Sequence, residues 1–348
     1  MSRKQASQAP KKPPSSHSFD SELARFETLT EALKAGAAPD PVQIEFLRKT
    51  LAQRNNFLVS KAAALVADAA LRDLLPEVLA AFDRFFIDAP KSDPQCWAKN
   101  ALSKAMVKLE HRQKEAYLRG MRHHQMEPVW GGHSDTAGAL RGTCAHALVD
   151  CPGISDADLL ALLLEPLTDA DKTVRMEAAQ AIAQVGGVSA ALLLRLRALM
   201  QGNGDDEPEV LGVVYASLLS LQGASAVPLV AKALEAGDDI AAEAAFALAD
   251  SRCGEALAAL LTRHQQGADA WFGSVLLSAI ALTRLPEAMD FLIAAVARDA
   301  REAPEAIEAI GRIGPSTELR GRVEQAIEEA DSIRLRKAFQ QHMPAIAE

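Results

Sequence analysis

Residues 169–187 read DADKTVRMEAAQAIAQVGG, and this stretch is the best guide to the fold. Acidic residues that can cap a helix come first, apolar residues follow three and four positions apart, and two glycines end the pattern. Two further stretches share it, DTAGALRGTCAHALVDC at 135–151 and GDDIAAEAAFALADSRCG at 237–254. The three stretches predict equivalent helices of an internal repeat.

Equivalent positions of the three helices carry similar side chains. One position is apolar in each helix, and one turn later each helix has a pair of small residues. Small residues let a helix approach its partner closely, so these positions predict helix pairs. The apolar positions are Val174, Ile240 and Leu140, and the small pairs are 178–179, 244–245 and 144–145.

Helices of this class recur along the chain at intervals of 29 to 41 residues. Each interval holds two helices and two turns, and a helix pair of this size cannot bury its own apolar face. We therefore predict an all-α fold, an α-solenoid in which roughly eight helix pairs stack on one another. The helices begin near Arg54, Pro94, Asp135, Asp171, Glu207, Asp239, Ala268 and Ala303.

Residues 1–20 differ in composition from the rest of the chain. They are polar, basic and rich in proline, and they contain too little apolar surface to offset the entropy of ordering. We predict a disordered tail over 1–20 and the solenoid over 21–348. No apolar run suggests a secretory signal or a membrane span, so we expect a cytoplasmic protein without membrane contact.

Charge is distributed unevenly along the chain. The net charge is -9, and residues 151–348 carry 16 basic against 29 acidic side chains. Such an acidic half repels polyanions and disfavours general nucleic-acid binding. Between Lys99 and Arg122, by contrast, seven basic side chains stand against two acidic ones. This run predicts either a solvated helix face or a local cationic patch.

The repeat resembles a known family. The pattern D-x-x-x-x-V-R-x-x-A-A-x-A-[IL], preceded by a P-L-[IVL]-x-x-A-L helix, is similar to the HEAT repeat, in particular the short bacterial kind also called the phycobilisome-lyase HEAT-like repeat. The match is good over 155–285, weaker over 41–150 and weak after residue 285. The resemblance implies a right-handed superhelix, and it specifies the fold better than the function.

The resemblance also implies two ion pairs. In HEAT-like repeats an Asp in the turn commonly pairs with an Arg on the next helix. Asp169 precedes Arg175 by six residues, and Asp135 precedes Arg141 by the same interval. We interpret both pairs as structural. The alternative is that Arg141 faces the inner groove and contacts an anionic ligand.

The candidate binding residues lie between positions 97 and 141. The segment 123–135 is predicted as the longest non-helical connection, and loops held by a scaffold often carry function. Trp130 in that segment either marks a binding loop or covers the apolar edge of its repeat. Trp97 aligns with Val174, which predicts a core position, or else it joins a cationic and aromatic patch. The candidates for such a patch are Trp97, Lys99, Lys104, Tyr117, Arg119, His123, Trp130, His133 and Arg141.

Five of the eight histidines lie between residues 111 and 146. Imidazole and carboxylate groups bind Zn or Fe, so His123, His133 and Asp135 are candidate ligands. No two histidines have a diagnostic spacing such as H-E-x-x-H. The four cysteines show no paired spacing for a disulfide framework or a zinc site. We therefore expect no metal and no cofactor.

The sequence favours a non-catalytic scaffold that binds a protein or peptide partner on the concave surface of the solenoid. The resemblance also covers enzymes, namely bilin lyases and the deoxyhypusine hydroxylases, which hold a di-iron centre with His-Glu pairs. This chain contains no His-Glu dipeptide. A third class is nucleic-acid binding through residues 97–130, as in HEAT-like DNA alkyl-base glycosylases, and the overall acidity opposes it. We expect a monomer or a weak oligomer.

Overall fold

The structure, a computed structural model, describes residues 16–200 and 207–344. Helix accounts for 76% of the described residues. The predicted all-α class is confirmed. Within the described ranges, the β-structure consists of one two-stranded hairpin. The chain divides into two compact units, Met1–Pro152 and Gly153–Glu348, where the sequence predicted one continuous body over 21–348. We refer to them as unit 1 and unit 2.

The described part of unit 1 contains helices α1 to α8 and one β-hairpin. The elements in chain order are α1 (Ser16–Lys34), α2 (Pro41–Leu51), α3 (Asn56–Asp68), α4 (Leu75–Arg84), α5 (Ala89–Ser92), α6 (Trp97–Lys108), α7 (Lys114–Met121), β1 (Met126–Val129), β2 (Gly132–Asp135) and α8 (Gly138–Ala147). Helix α3 packs against α6, and α6 packs against α8. Helices α2 and α4 cover α3 and α6 respectively.

The described part of unit 2 contains helices α9 to α20. They are α9 (Asp156–Leu167), α10 (Lys172–Val185), α11 (Gly187–Leu199), α12 (Pro208–Gln222), α13 (Val227–Lys232), α14 (Asp239–Asp250), α15 (Gly254–Gln265), α16 (Ala270–Leu282), α17 (Pro286–Ala297), α18 (Ala303–Arg312), α19 (Thr317–Ala330) and α20 (Ile333–His342). Each even-numbered helix from α10 to α18 packs against the next even-numbered helix. Each also packs against the helix that precedes it in the chain.

The predicted helix starts are confirmed to within three residues. The eight expected positions correspond to the starts of α3, α6, α8, α10, α12, α14, α16 and α18. Acidic side chains cap several of these helices. The carboxylates of Asp171, Asp238 and Asp269 accept backbone N–H bonds of 2.8, 2.9 and 2.8 Å in the first turn of their helices. Such caps satisfy donors that the first helical turn leaves without partners.

The small residues of the repeat lie at helix contacts, as the sequence predicts. The small pairs at 144–145, 178–179 and 244–245 are fully buried in α8, α10 and α14. Short side chains allow neighbouring helix axes to approach closely, so burial here comes from backbone proximity rather than from large side chains. The core is correspondingly rich in alanine and leucine.

The N-terminal boundary differs from the prediction. Helix α1 begins at Ser16, so residues 16–20, predicted as part of a disordered tail, are helical. Phe26 and Leu29 of α1 are buried, which gives the helix an apolar face to pack. The prediction for residues 1–15 falls outside the described ranges.

One stretch of unit 2, Pro208–Glu235, is long and apolar enough to cross a membrane by length and composition alone. The sequence reading overlooked this stretch when it found no candidate span. The α-helical hydrogen bonding of α12 ends at Gln222, and Gly223 has a positive φ of 54°. Helix α12 packs on both α10 and α14, and 56% of the apolar window is buried. These features are typical of a core helix.

We predict that Gly120→Ala destabilises unit 1 by about 2 kcal/mol, because the added methyl group overpacks the contact between α7 and α8. A Cβ built on Gly120 overlaps the Sγ of Cys144. In Gly120→Ala/Cys144→Ala the overlap is relieved, so the double variant should lose less than the two single losses added together. Urea denaturation followed by circular dichroism measures this coupling.

Gly321→Ala in α19 is the matched control. That glycine also lies inside a helix, but its Cβ would meet no atom within 4 Å. Alanine should therefore be neutral or stabilising there, by up to about 1 kcal/mol. Strictly additive losses at Gly120 and Cys144 would contradict the packing explanation.

Candidate functional site

The residues predicted as one binding patch separate into three environments. Lys99, Tyr117 and Arg141 are buried, so their prediction as surface binding residues is wrong. Trp97 and Lys104 lie together on one groove. The remaining residues, Arg119, His123, Trp130 and His133, lie on or beside α7 and the hairpin.

Lys99 forms an ion pair with Asp93 in which both side chains are fully buried. The Nζ of Lys99 lies 3.0 Å from the carboxylate and donates a second bond of 3.2 Å to the carbonyl of Phe85. The carboxylate also accepts bonds from the backbone N–H groups of Ala98 and Lys99 and from the side-chain amide of Asn56. A buried charge needs this complete set of partners, so Lys99 is structural.

Trp97 is half exposed, which overturns its predicted core position. Gln95 and Cys96 adopt positive φ angles of 60° and 57°, and α6 begins only at Trp97. Ala98, one position later, is fully buried and occupies the inward place that alignment assigned to Trp97. The left-handed residues shift the helix by one position, and the indole ring turns outward.

Tyr117 is fully buried, and its hydroxyl donates a 2.9 Å bond to the carbonyl of His111. Arg119 is half exposed and pairs with Asp83 at 2.6 Å. An exposed ion pair of this kind contributes little to stability. Neither side chain faces the groove that holds Trp97.

The segment predicted as a long loop over 123–135 is instead a β-hairpin. Its strands pair antiparallel, with Met126 opposite Asp135 and Val129 opposite Gly132. Trp130 at the tip is fully exposed, so the alternative in which it covers the edge of its repeat is also wrong. The base of the hairpin is held by polar contacts, which keeps the tip at a fixed place.

Asp135 forms the principal anchor of this hairpin. It accepts bonds of 3.0 Å from the backbone N–H groups of Gln125 and Ala137 and a 2.6 Å bond from Arg141. Partial burial alone would raise the pKa of Asp135, but these bonds and the one from His124 hold that pKa well below its ordinary value. Asp135 and Arg141 thus form the ion pair that the resemblance implied, and this pair ties the base of the hairpin to α8.

The second predicted pair has a different geometry. Arg175 is largely buried, and it donates a 2.6 Å bond to the backbone carbonyl of Asp169. Its guanidinium also forms an ion pair with Glu207, at the start of α12. The Asp169 carboxylate accepts the N–H of Asp171 and shapes the turn before α10. The contact of Arg175 with the carbonyl oxygen of Asp169 ties α10 to the turn before it, and the structural role of the two residues stays a prediction.

The candidate metal ligands do not come together. His123 contacts Gln125 at 3.2 Å and the ring of Phe86, and burial lowers its pKa. Asp135 accepts hydrogen bonds from Gln125, Ala137 and Arg141. His133 lies on β2, where it pairs with Pro128 of β1. Among the residues that the structure describes, no group of three or more His, Cys, Asp or Glu side chains is placed to hold a metal ion.

Unit 1 has a groove between α3 and α6, with a volume of about 480 Å³. We call it the α3–α6 groove. It is bordered by two facing rows of side chains, each spaced as one face of a helix. The row on α3 consists of Phe57, Lys61, Ala64 and Asp68, and the row on α6 consists of Trp97, Ala101, Lys104 and Lys108.

One end of the α3–α6 groove is aromatic. The rings of Phe57 and Trp97 are 5.8 Å apart and tilted by 58°. The Nζ of Lys61 lies 5.5 Å from the centre of the Phe57 ring, within range of a cation–π interaction. Phe19 of α1 contacts Phe57 from the other side, at 6.1 Å between ring centres. This end therefore offers an aromatic surface beside a positive charge.

The far end of the groove holds an ion pair, and the unpaired positive charge lies between the two ends. The Nζ of Lys108 on α6 lies 2.7 Å from the Oδ1 of Asp68 on α3, so this ion pair bridges the groove. Lys61 and Lys104 are exposed and, within the described ranges, form no ion pair. The groove thus carries two lysines whose charge is available to a ligand.

The floor between the rows adds one polar group. Asn100 lines the groove, and its Oδ1 is buried without a hydrogen-bond partner among the described residues. An amide side chain both donates and accepts hydrogen bonds, which suits the N–H and C=O groups of a peptide backbone. The floor of the groove therefore includes one amide side chain among apolar residues.

The buried thiols offer no nucleophile at neutral pH. Burial raises the pKa of Cys96 to about 12 and that of Cys151 to about 11. Burial also raises the pKa of Cys144 well above its ordinary value. Because the thiolate is the reactive form, these cysteines behave as small core residues.

The sequence reading missed Phe57, Lys61, Asn100 and Lys108. A signal for them was present, because Phe57 and Trp97 are 40 residues apart, as are Asp68 and Lys108. This interval equals the spacing between the first two predicted repeats, at Arg54 and Pro94. Equivalent positions of neighbouring repeats lie side by side once the helices stack, so the repeat period itself pairs these residues.

Searches with this sequence found no matching protein-family model and no matching curated protein.

Proposed function

We propose that the protein is a non-catalytic binding scaffold built from HEAT-like repeats, and that unit 1 binds an acidic, extended segment of a protein partner in the α3–α6 groove. The repeated packing of every second helix supports the solenoid arrangement. The observation that carries the binding proposal is the pair of facing rows, which are aromatic at one end and carry two unpaired lysines next to it.

Each part of the groove suits one chemical feature of such a segment. Lys61 and Lys104 attract carboxylates of the partner, since their charge is not already neutralised by an ion pair. Phe57 and Trp97 form a surface for an apolar or aromatic anchor, the kind of contact that dominates binding energy at interfaces. Asn100 contributes a polar side chain to the floor between them.

The sequence before α1 carries the same sign of charge as the groove. It contains Arg3, Lys4, Lys11 and Lys12. Positive charge in both places favours an acidic partner and strengthens its long-range attraction at low salt. A short protein segment is favoured over nucleic acid because residues 151–348 carry 29 acidic against 16 basic side chains, which repel a long polyanion more than a segment short enough to lie within the groove.

We predict that Lys61→Glu/Lys104→Glu weakens binding of an acidic peptide by at least about tenfold, because reversal of two charges replaces attraction by repulsion. The probe is a fluorescein-labelled peptide of repeated Glu-Glu-Phe-Glu units, and fluorescence anisotropy measures its affinity. Trp97→Ala should also weaken binding about tenfold, through loss of the aromatic anchor. Both lysines are exposed, so the variants should keep their circular dichroism spectrum.

The matched control is Lys49→Glu/Lys91→Glu, which makes the same change in net charge at two exposed lysines of unit 1 outside the groove. It should leave peptide affinity within about twofold of the wild type. If Lys49→Glu/Lys91→Glu loses as much peptide affinity as Lys61→Glu/Lys104→Glu, the groove is not the binding site. Tighter binding of a 20-nucleotide single-stranded DNA than of the peptide would overturn the choice of partner.

A further inference from the structure

Helix α11 of unit 2 carries an exposed apolar stripe. Its members recur at intervals of three and four residues along α11 and continue onto the neighbouring helix α9. Each is between 44% and 79% exposed, although leucine, valine and methionine are usually buried. We call this surface the α11 stripe, which consists of Val188, Leu192, Leu196, Leu199, Met200 and Leu164.

The apolar exterior of α11 is not a general property of helices in this unit. Helix α19 is a similar length, and its exposed positions are mainly charged or polar, for example Glu318, Glu324 and Glu328. Helix α11 contains no acidic residue, and its two charged residues are both arginines. Because packing inside the unit does not require apolar side chains on the outer face, the stripe indicates a contact with another molecule.

The area of the stripe suits a protein–protein interface. Its six side chains together expose roughly 600 Å² of apolar surface, which is at the upper end for the largest patch on a monomer. If two copies of the stripe meet, about 1,200 Å² is buried, which reaches the range of specific interfaces. A single lipid tail or small ligand would leave most of this surface in water.

The centre of the stripe is compatible with its own copy. A shallow cleft of about 430 Å³ runs between α9 and α11, beside Leu164 and Leu196. In a two-fold symmetric dimer the same patch faces itself, so the patch must be complementary to itself. A row of leucine side chains meets this requirement, because apolar side chains pack against copies of themselves without leaving a buried charge.

We propose that the α11 stripe is a homodimer interface, in which a second copy of this chain packs its own α11 against it. This inference is independent of the α3–α6 groove, which lies in unit 1. Residues 151–348 carry 16 basic and 29 acidic side chains, so two copies of this half repel each other at long range. Added salt screens that repulsion, and dimerisation should therefore strengthen with ionic strength.

Sedimentation velocity from about 1 to about 100 μM protein tests the proposal, because an interface of this size is expected to have an affinity in the micromolar range. We expect a concentration-dependent dimer that strengthens when salt is raised. Leu192→Glu/Leu196→Glu should weaken dimerisation by more than about tenfold, because it buries charge at the centre of the interface. An unchanged circular dichroism spectrum shows that this variant is folded.

The control is Ile333→Glu, which introduces one glutamate, half the charge change of the stripe variant, at a residue of unit 2 that is 69% exposed and lies outside the stripe. It should dimerise like the wild type. A wild type that stays monomeric at the highest concentration overturns the proposal, and so does a dimer that Leu192→Glu/Leu196→Glu leaves intact. The groove variant Lys61→Glu/Lys104→Glu should still dimerise, so failure of one site is distinguishable from failure of the other.

Discussion

Asp93→Ala should lower the free energy of unfolding of unit 1 by about 3 to 5 kcal/mol, the largest effect that we expect from a single substitution. The variant leaves the ammonium group of Lys99 buried without its counterion. It also removes the acceptor for the N–H groups of Ala98 and Lys99 and for the amide of Asn56. Calorimetry should show the melting temperature of the unit falling by roughly 10 °C.

The double variant Asp93→Ala/Lys99→Met separates these contributions. Without the ammonium group no uncompensated charge remains, so the double variant should recover part of the loss. The loss of stability that remains in the double variant measures the hydrogen bonds that Asp93 accepts from the two backbone N–H groups and from Asn56. Asp83→Ala, which breaks the exposed pair with Arg119, should cost less than about 1 kcal/mol. A loss at Asp93 as small as that at Asp83 would show that the buried pair is not essential.

Asp135→Ala should destabilise unit 1 by about 3 kcal/mol at neutral pH. The substitution removes the acceptor for Gln125 and Ala137, and it leaves the buried guanidinium of Arg141 without its carboxylate. The hairpin should then detach from its base while the helices remain. Urea denaturation gives the loss of stability, and amide hydrogen exchange of residues 126–135 reports the hairpin directly.

The same carboxylate predicts a pH dependence. Its pKa is held below the ordinary value in the folded state, so its stabilising contribution is complete above the unfolded pKa of about 3.9. The contribution is lost as pH falls from there through the folded pKa. The difference in stability between wild type and Asp135→Ala should therefore be constant from pH 7 to pH 5 and narrow below about pH 4.

Asp135→Asn provides the control for charge. Asparagine keeps the shape of the side chain and one acceptor oxygen, so Asp135→Asn should lose less stability than Asp135→Ala. The difference in stability between these two variants should not narrow in acid, because neither has a carboxylate at position 135. A gap between wild type and Asp135→Ala that stays unchanged down to pH 3 would contradict the assignment of the low pKa to Asp135.

The helices could be predicted from the sequence because apolar spacing and capping residues act between positions close together in the chain. Apolar spacing and acidic caps placed the starts of α10 at Asp171 and of α14 at Asp239, and the structure has them within one residue. The small pairs of the repeat were likewise identified as contact positions, because their burial follows from helix periodicity. The short hairpin was missed, because four-residue strands with Pro, Gly and His carry no alternating pattern.

The candidate site could be predicted only in part from the sequence. Trp97 and Lys104 were among the predicted residues, but Lys99, two positions after Trp97, turned out to be fully buried. A basic run seen in sequence does not reveal which lysine meets a buried carboxylate. The pairing of Lys99 with Asp93 depends on the left-handed backbone at Gln95 and Cys96, and non-glycine residues give little sequence signal for that conformation.

The sequence by itself determined the all-α class, the starts of eight helices to within three residues and the period of the repeat, because hydrophobic spacing and capping act between residues a few positions apart. The tertiary structure alone decided which side chains face each other across α3 and α6, which charges are buried and which apolar face of α11 stays in water. Those outcomes depend on how helices tens of residues apart approach one another. A shift of one residue at the start of α6 was enough to bring Trp97 out of the core and onto the surface of the groove.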